Sequence, residues 1–270
     1  MFSKLSDDEF KKFAKLIHEM SGIFLKDSKS TLLSNRLRKR LIEKKIDSFD
    51  DYYRYLETSK DMDEITEMLN AVSTNETYFF RNIKHFDTLF DSIIPELISK
   101  RRLPVTIWSA GCSSGEEPYT LCMIAKEKGL LNKGLIKIDA SDINTSVINE
   151  AKSGIYDEKR LRSTDKYYED KYFKRTATGL FKLDQEIIDY VNFFKLNLIT
   201  DKVDKKYDII LCRNVMIYFD RDDQKKVVAK FYESLNNDSY FFVGHSESLY
   251  FIDTRFEYKK VLDSPVYYKK

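Results

Sequence analysis

The sequence has little of what marks an extracellular, membrane-spanning or polyanion-binding protein. Its three cysteines form no C-x-x-C pair, so we expect a reducing compartment and no metal site. No stretch approaches 18 consecutive apolar residues, and no long apolar run opens the chain. We therefore predict no membrane insertion, no signal peptide and a cytoplasmic location. The net charge is only +2, without a broad basic stripe, which argues against a nucleic-acid partner.

Residues 1–72 show only helical periodicity, without a repeat or a low-complexity linker. In the first predicted helix, apolar residues recur three and four positions apart and a glycine follows as a stop (Phe10, Phe13, Ile17, Met20, Gly22). A second helix is predicted over Ser30–Lys44, with leucines on one face and basic side chains on the others (Arg36, Arg38, Lys39, Arg40). Such a basic surface is usually only solvated, and alternatively docks an acidic partner.

The middle of the chain predicts a strand, a tight turn and a helix over residues 105–119. The apolar run Val105–Ala110 ends at small residues that include Gly111 and Gly115, and helical periodicity resumes from about Tyr119. Glycines in such a turn allow positive φ and close approach of a ligand, as in nucleotide-type cofactor sites. An ordinary strand-to-helix turn explains the pattern equally well.

A second predicted strand, residues 135–142, ends in an acid 27 positions after Gly115. A carboxylate there can accept both hydroxyls of an adenosine ribose, which makes Asp142 a candidate. The alternative is a helix N-cap, a role that also suits Ser141 and Asn144. No lysine follows the first turn, and Glu116-Glu117 places negative charge where a pyrophosphate would lie. The pattern therefore favours a cofactor without phosphates, S-adenosylmethionine.

Three consecutive aromatics followed by arginine stand at Tyr78–Arg81. Ser73 and Glu76 just before them fit the capping box of a helix start. That interpretation leaves the aromatics unexplained, because the helix beyond, over residues 86–97, has an apolar face of its own. Aromatic ring faces attract cations, so these rings are physically suited to lie beside a sulfonium group.

Six segments, in order along nearly the whole chain, resemble the CheR family of chemotaxis receptor methyltransferases: residues 75–81 (NETYFFR), 108–119 (WSAGCSSGEEPY), 140–143 (ASDI), 153–156 (SGIY), 212–219 (CRNVMIYF) and 244–247 (GHSE). The resemblance implies a protein-glutamate O-methyltransferase with an α/β fold. A Rossmann-like, S-adenosylmethionine-dependent domain at 73–270 would follow a small all-α domain at 1–72. A small antiparallel β-subdomain would be inserted at about 171–190.

The resemblance also implies which residues contact the cofactor, whose product is S-adenosylhomocysteine: Asn75, Thr77, Arg81, Glu117, Asp142, Asn197, Leu198, Arg213 and Asn214. The residues themselves are consistent with these positions. Two pairs follow strand-like runs, Val191–Leu196 and Tyr207–Cys212, and ligands of open α/β sheets bind outside the carboxyl ends of strands.

The chemistry requires little more than positioning. A glutamate is already ionised at neutral pH and needs no general base, but its attack on the methyl group must be in line. We predict that Arg81 and Arg213 lie near the incoming carboxylate as catalytic residues and that the Tyr218 hydroxyl supports the geometry. The sequence does not distinguish the roles of the two arginines.

The predicted partner is the cytoplasmic helical region of chemoreceptors. Arg36 and Lys39 match positions that the family uses to meet acidic receptor surfaces, while Ile42 occupies a third such position. Some members also bind a C-terminal receptor pentapeptide as an added strand. Here the hairpin Lys171–Leu183 lacks about three loop residues, and Thr178-Gly179 suggests a two-residue turn. We therefore predict no pentapeptide tether, and a monomer.

Two other functions stay open at this point. The same cofactor fold serves methyltransferases that act on other substrates, since a fold does not fix the substrate. A signalling adaptor that binds S-adenosylmethionine without turnover is the second alternative.

Overall fold

A computed structural model describes residues 4–100 and 102–270, so the first three residues of the predicted helical domain lie outside the described part. Four helices form this domain: α1 (Asp7–Ser21), α2 (Ser30–Lys44), α3 (Phe49–Ser59) and α4 (Met62–Val72). Helix α1 begins with a capping box between Ser6 and Glu9 and ends at Gly22 in the left-handed conformation, φ 75°. The predicted glycine stop and the predicted bounds of α2 are confirmed.

The basic surface predicted on α2 is smaller than the sequence suggests. Arg40 is buried and pairs with Glu64 on α4, with Nε 3.0 Å from Oε1 and Nη2 2.6 Å from Oε2. The Tyr52 hydroxyl donates to the same carboxylate at 2.6 Å. Arg40 therefore belongs to the interior of the helical domain, where loss of one partner would leave a buried charge unpaired.

The second part is built on a seven-stranded sheet in the order β6-β2-β1-β7-β8-β10-β9. Its strands are β1 (Val105–Ala110), β2 (Ile136–Asp142), β6 (Val191–Lys195), β7 (Tyr207–Cys212), β8 (Leu235–Val243), β9 (Glu257–Val261) and β10 (Ser264–Lys269). All neighbours from β6 to β8 are parallel, whereas β8, β10 and β9 are antiparallel. The chain passes from β1 to β2 on one side and later returns to β7 on the other, which opens a crevice at the carboxyl ends of these strands.

Helices cover this sheet: α5 (Ile83–Thr88), which continues through a π turn (Leu89–Ile93) into α6 (Ile94–Ser99), then α7 (Glu116–Glu127), α8 (Thr145–Ser153) and α11 (Arg221–Ser234). Helix α7 begins at Glu116, three residues before the predicted start. The predicted strands before Asn197 and Arg213 are present, the first ending one residue early. The predicted α/β class, with an all-α segment before it, is confirmed.

The small antiparallel sheet is also present, in the order β3-β5-β4. It comprises β3 (Ile155–Tyr156), β4 (Phe173–Arg175) and β5 (Phe181–Leu183), with α9 (Lys166–Tyr172) and α10 (Gln185–Asp189) beside it. The predicted two-residue turn is wrong, because β4 and β5 are joined by residues 176–180. The Thr176 amide donates to the Leu180 carbonyl at 2.7 Å, which closes this longer loop.

The helical domain packs against the sheet domain through polar contacts. The Asn70 side chain accepts from the Thr145 amide at 3.0 Å, at the start of α8. On α1, His18 Nε2 lies 3.0 Å from Oδ2 of both Asp220 and Asp223, at the start of α11. These contacts align the two domains along the crevice. Within the described residues, no helix has the length and apolar character needed to cross a membrane.

Candidate active site

A cavity of about 540 Å³ lies between the helical domain and the carboxyl ends of the sheet strands. Eleven of the twelve predicted site residues line it: Arg36, Asn75, Thr77, Arg81, Glu117, Asp142, Asn197, Leu198, Arg213, Asn214 and Tyr218. Lys39 does not, because it is exposed on the outer surface of α2. The structure thus brings together side chains that are up to 182 positions apart in the sequence (Arg36 and Tyr218).

The glycine turn after β1 forms one wall of this cavity. Gly111, Ser113 and Gly115 all have positive φ, at 76°, 51° and 91°. A Cβ on Gly111 would lie 2.4 Å from Cγ2 of Val215, so the close approach to the loop after β7 requires glycine there. The turn lines the cavity with Gly111, Cys112 and Ser113.

Asp142 ends β2 beside this turn. Its Oδ2 accepts from the Ser113 amide at 2.8 Å and its Oδ1 from the Asn144 amide at 2.9 Å. Helix α8 is capped by Asn144, so the N-cap role that the sequence left open belongs to that residue. Burial raises the pKa of Asp142. Each carboxylate oxygen retains a lone pair for a further donor, such as a ribose hydroxyl.

Glu117 and Arg213 form an ion pair that lines the cavity, in which Arg213 is buried and Glu117 is partly exposed. Glu117 Oε1 accepts from the Ser109 hydroxyl at 2.7 Å, and Oε2 lies 3.0 Å from Arg213 Nη1. Arg213 Nη2 donates to the backbone carbonyl of Arg81, while its buried Nε has no hydrogen-bond partner among the described residues. Burial lowers the pKa of Arg213. The Arg213 guanidinium is therefore largely committed to holding other groups in place.

Arg81 differs from Arg213 in that most of its guanidinium donors are not engaged by other groups. Within the described residues its guanidinium makes one hydrogen bond, from Nη1 to the Glu76 carbonyl at 2.9 Å, and lies 5.6 Å from the Tyr78 ring. Tyr218 lies in a short 3₁₀ turn after β7, and burial raises the pKa of its hydroxyl. The available cation and this hydroxyl both face the cavity.

The two carboxylates at the start of α7 do not share one environment. Only Glu117 lines the cavity, so the predicted placement of both charges at a pyrophosphate position is wrong for Glu116. Glu116 is fully buried, accepts from the Ser114 hydroxyl at 2.9 Å and lies 3.4 Å from Arg160 Nε. Burial raises the pKa of Glu116 to about 7.

This shift gives a testable pH dependence of stability. The unfolded carboxyl ionises near its ordinary pKa of 4.5 and the folded one near 7, so the folded state holds the proton between these values. Stability is therefore lost as pH rises through this window, by about 3 kcal/mol in total. Glu116→Gln should abolish this loss. Urea unfolding from pH 4.5 to 7.5 measures it. Glu150→Gln, which changes another acid facing Arg160, should keep most of this loss, because Glu150 is only a small cause of the shift. Parallel curves for wild type and Glu116→Gln would contradict the assignment.

Only one of the three aromatic rings predicted to lie beside the cofactor reaches the cavity. Tyr78 lines the cavity. Phe79 instead packs edge-on against Tyr156 at 4.9 Å, and Phe80 against Tyr168 at 4.6 Å, in the core beneath the sheet. The left-handed backbone of Phe80, φ 59°, turns the chain between these rings.

The capping box predicted at Ser73 is also wrong. Ser73 ends α4 rather than starting a helix, and its hydroxyl donates to the Leu69 carbonyl at 2.6 Å. Residues 73–78 are an extended link between the two domains. This link lies along the cavity, which is why it supplies so many lining residues.

Asn197 and Asn214, two of the asparagines predicted to bind cofactor, have different surroundings. Asn197 Nδ2 donates to the Met20 carbonyl at 2.7 Å and its Oδ1 accepts from the Ile199 amide at 2.9 Å. Its side chain therefore ties the sheet to α1. Asn214 has φ 60°, and its buried Oδ1 has no partner among the described residues. A buried acceptor without a donor is costly, so a ligand carrying an N–H or O–H group fits this wall.

Sequence reasoning missed two contributors. The segment after α1 lines the cavity with Ile23, Phe24, Leu25, Lys26 and Lys29; its signal is an apolar run just after a helix stop. Arg160 Nη1 donates to the Thr77 carbonyl at 2.9 Å and so holds the link between the domains. Nothing local in the sequence distinguishes Arg160 from its basic neighbours.

Comparison with known proteins agrees with this architecture. Residues 8–73 match the family described as the CheR methyltransferase all-alpha domain, and residues 75–263 match the CheR methyltransferase SAM binding domain. The chain is 41% identical over 253 residues to a chemotaxis protein methyltransferase of Borreliella burgdorferi, covering 91% of this chain and 89% of that protein. It is 36% identical to the Escherichia coli K12 chemotaxis protein methyltransferase, covering 93% and 88%.

A third relative is chemotaxis protein methyltransferase 2 of Vibrio cholerae, which is 34% identical, with 98% of this chain and 94% of that protein covered. These matches extend through both domains and across every strand that borders the cavity. By its two family domains and its full-length relatives, the chain belongs to the CheR family of chemotaxis methyltransferases.

Proposed function

We propose that this chain transfers a methyl group from S-adenosylmethionine to glutamate side chains in the cytoplasmic helical region of chemoreceptors, forming glutamate methyl esters. The observation that carries the proposal is a single cavity in which Asp142, Arg81 and Tyr218 meet between the two domains. The names of its relatives, all chemotaxis protein methyltransferases, support the pathway. We assign the helical domain to residues 1–72 and the catalytic domain to residues 73–270.

The residues of the cavity suit S-adenosylmethionine. The free lone pairs of Asp142 match ribose hydroxyls, and the unpartnered Asn214 Oδ1 matches an N–H donor. Glu117 and Tyr78 add a negative charge and a ring face at the cavity wall, and both attract a cation. We assign cofactor contacts to Asn75, Thr77, Arg81, Glu117, Asp142, Leu198, Arg213 and Asn214, and to the backbone of Asn197.

When bound, S-adenosylmethionine supplies an electrophilic methyl group. A glutamate substrate enters ionised, so the chain has to orient a carboxylate rather than remove a proton. Arg81 has donors available for this carboxylate, and a charge-assisted hydrogen bond fixes one oxygen while the other stays free to react. Arg213 fixes the Arg81 backbone, and Tyr218 adds a hydroxyl at the same wall. We thus assign orientation to Arg81 and positioning to Arg213.

Transfer of labelled methyl from S-adenosylmethionine to receptor cytoplasmic fragments tests the proposal. Label that mild base releases as methanol demonstrates an ester, and therefore both the substrate group and the linkage. Binding of the cofactor without any transfer would favour the adaptor alternative, and transfer of base-stable label would favour another substrate group.

The receptor-docking role of α2 is best tested at Lys39. This side chain is exposed, whereas Arg36 donates to the Val72 carbonyl and, at 3.2 Å, to the Thr74 hydroxyl. Lys39→Ala should lower kcat/KM for receptor by about threefold at low salt, and less at high salt, without changing cofactor affinity. Arg36→Ala should alter both, because Arg36 also supports the link that lines the cavity. Steady-state kinetics at two salt concentrations measures this. Lys15→Ala, which removes an exposed cation from α1, should leave kcat/KM unchanged; an equal loss there would contradict specific docking.

We also propose that this chain lacks the pentapeptide tether. Edge strand β4 has only three residues, which gives a pentapeptide too few backbone partners for strand addition. Calorimetric titration with a receptor-tail pentapeptide should show no saturable binding, and receptors without a tail should be methylated normally. Saturable micromolar binding would overturn this.

A further inference from the structure

The mouth of the cavity carries large apolar side chains that are open to solvent. Phe24, Leu32 and Ile217 all line the cavity, yet 49%, 40% and 52% of their surfaces are exposed. They come from three different elements: the segment after α1, helix α2 and the 3₁₀ turn after β7. The fold holds two of these elements together, because the Phe24 amide donates to the Tyr218 carbonyl at 2.8 Å and so joins the segment after α1 to the 3₁₀ turn.

Two further exposed apolar residues are connected to the same region by hydrogen bonds. Tyr250 and Phe251 are each 72% exposed, and their rings contact each other at a centroid distance of 4.0 Å. The backbone carbonyls of this pair accept from Arg221 Nη2 at 3.4 and 3.1 Å. Arg221 follows Ile217 by four residues, and the Ile217 amide donates to Glu247 in the loop that precedes the pair. We call Phe24, Leu32, Ile217, Tyr250 and Phe251 the apolar rim.

Two lysine side chains lie near the apolar rim. Lys26 and Lys29 line the cavity mouth, and neither forms an ion pair within the described residues. Exposed apolar side chains grouped beside a cavity mark an interaction surface more often than isolated ones do. The apolar rim and the two lysines beside it are complementary to an amphipathic helix with an apolar stripe and acidic side chains next to that stripe.

We propose that the apolar rim binds the substrate helix itself, as an acidic amphipathic segment whose apolar stripe lies on the rim while one glutamate enters the cavity. This rests on the proposed function and deepens it, because it names what selects the glutamate. On the substrate helix, the side chains that contact the rim lie three or four residues from the glutamate to be methylated, on the same face of the helix. This spacing then determines which glutamate reaches Arg81.

Kinetics of rim variants on a receptor cytoplasmic fragment test this. Phe24→Ser and the double variant Tyr250→Ser/Phe251→Ser should each raise KM for the fragment about tenfold, the usual effect of removing an interface anchor. For the Tyr250→Ser/Phe251→Ser variant, whose two positions lie outside the cavity lining, kcat should stay within about twofold of wild type, and calorimetric affinity for S-adenosylmethionine should not change. Met62→Ser, which removes a 60% exposed side chain outside the cavity, is the matched control. Rim variants with the KM of this control would overturn the proposal.

Direct binding separates this proposal from the proposed function. Fluorescence anisotropy with a fragment whose methylatable glutamates are replaced by glutamine measures docking without turnover. If wild type transfers no methyl group to any receptor fragment, the proposed function fails. In that case the anisotropy measurement still tests the role of the rim. Weaker binding of the fragment by the rim variants than by wild type supports the proposal, and unchanged binding overturns it. A wild-type dimer that the same variants dissociate would assign the rim to a second copy of this chain and would also overturn the proposal.

Discussion

Replacing Arg81 with alanine is expected to lower kcat for methyl transfer by about 10²- to 10³-fold, with affinity for S-adenosylmethionine changed less than tenfold. The reason is positional: Arg81 lines the cavity with donors left for a carboxylate, and misplacement of a reacting group by about 1 Å costs on the order of 10² in rate. Single-turnover transfer to a receptor fragment measures kcat, and calorimetry measures the affinity.

Arg162 provides the matched control. Its guanidinium also stacks on Tyr78, at 3.8 Å, and pairs with Glu76 at 3.4 Å, but it does not line the cavity. Arg162→Ala should therefore retain most of the wild-type kcat. Equal losses in the two variants would show that the arginines act only by bracing Tyr78, and Arg81 would then have no role in orienting the carboxylate.

Removal of the carboxylate at Asp142 should weaken cofactor binding by about 10- to 100-fold. Hydrogen bonds to a charged acceptor are worth about 1.5 to 3 kcal/mol each. The Ser113 amide would also lose its acceptor, so the turn would loosen as well. Calorimetric titration of Asp142→Ala with S-adenosylmethionine measures the change.

Asp139→Ala separates cofactor binding from folding. Asp139 is another buried acid of β2, and it accepts from the Tyr207 hydroxyl at 2.9 Å, away from the cavity. Its loss should reduce stability but leave the cofactor affinity near wild type. An affinity for Asp142→Ala that equals wild type would remove Asp142 from the cofactor site.

The sequence predicts the main elements well because their signals are local. Helix α2 and strand β7 have uniform periodicity, and the bounds predicted for both are correct. The predicted hairpin turn is wrong because Thr178-Gly179 is a favourable local turn pair, whereas the hydrogen bond that closes the loop joins Thr176 and Leu180, with three residues between them. Hydrogen bonds across a loop are not visible in a dipeptide pattern.

In the candidate site, too, the sequence predicts local features and misses those that depend on tertiary contacts. The family motif identified most of the side chains that line the cavity, but not which of them are already engaged. Arg81 and Arg213 look alike in sequence, and only the burial of Arg213 against Glu117 separates their roles. Phe79 and Phe80 were misassigned to the site for the same reason, since the direction of side chains in the turn that follows the link depends on tertiary packing.

The bond from the Asn197 side chain to the Met20 carbonyl crosses from one domain to the other at the cavity wall. A ligand held between those walls gains affinity only while the walls remain together, so its binding energy also opposes separation of the domains. Cofactor concentration is thereby linked to interdomain rigidity. Separation of the two domains should therefore cost more free energy when the cofactor is bound than when it is absent.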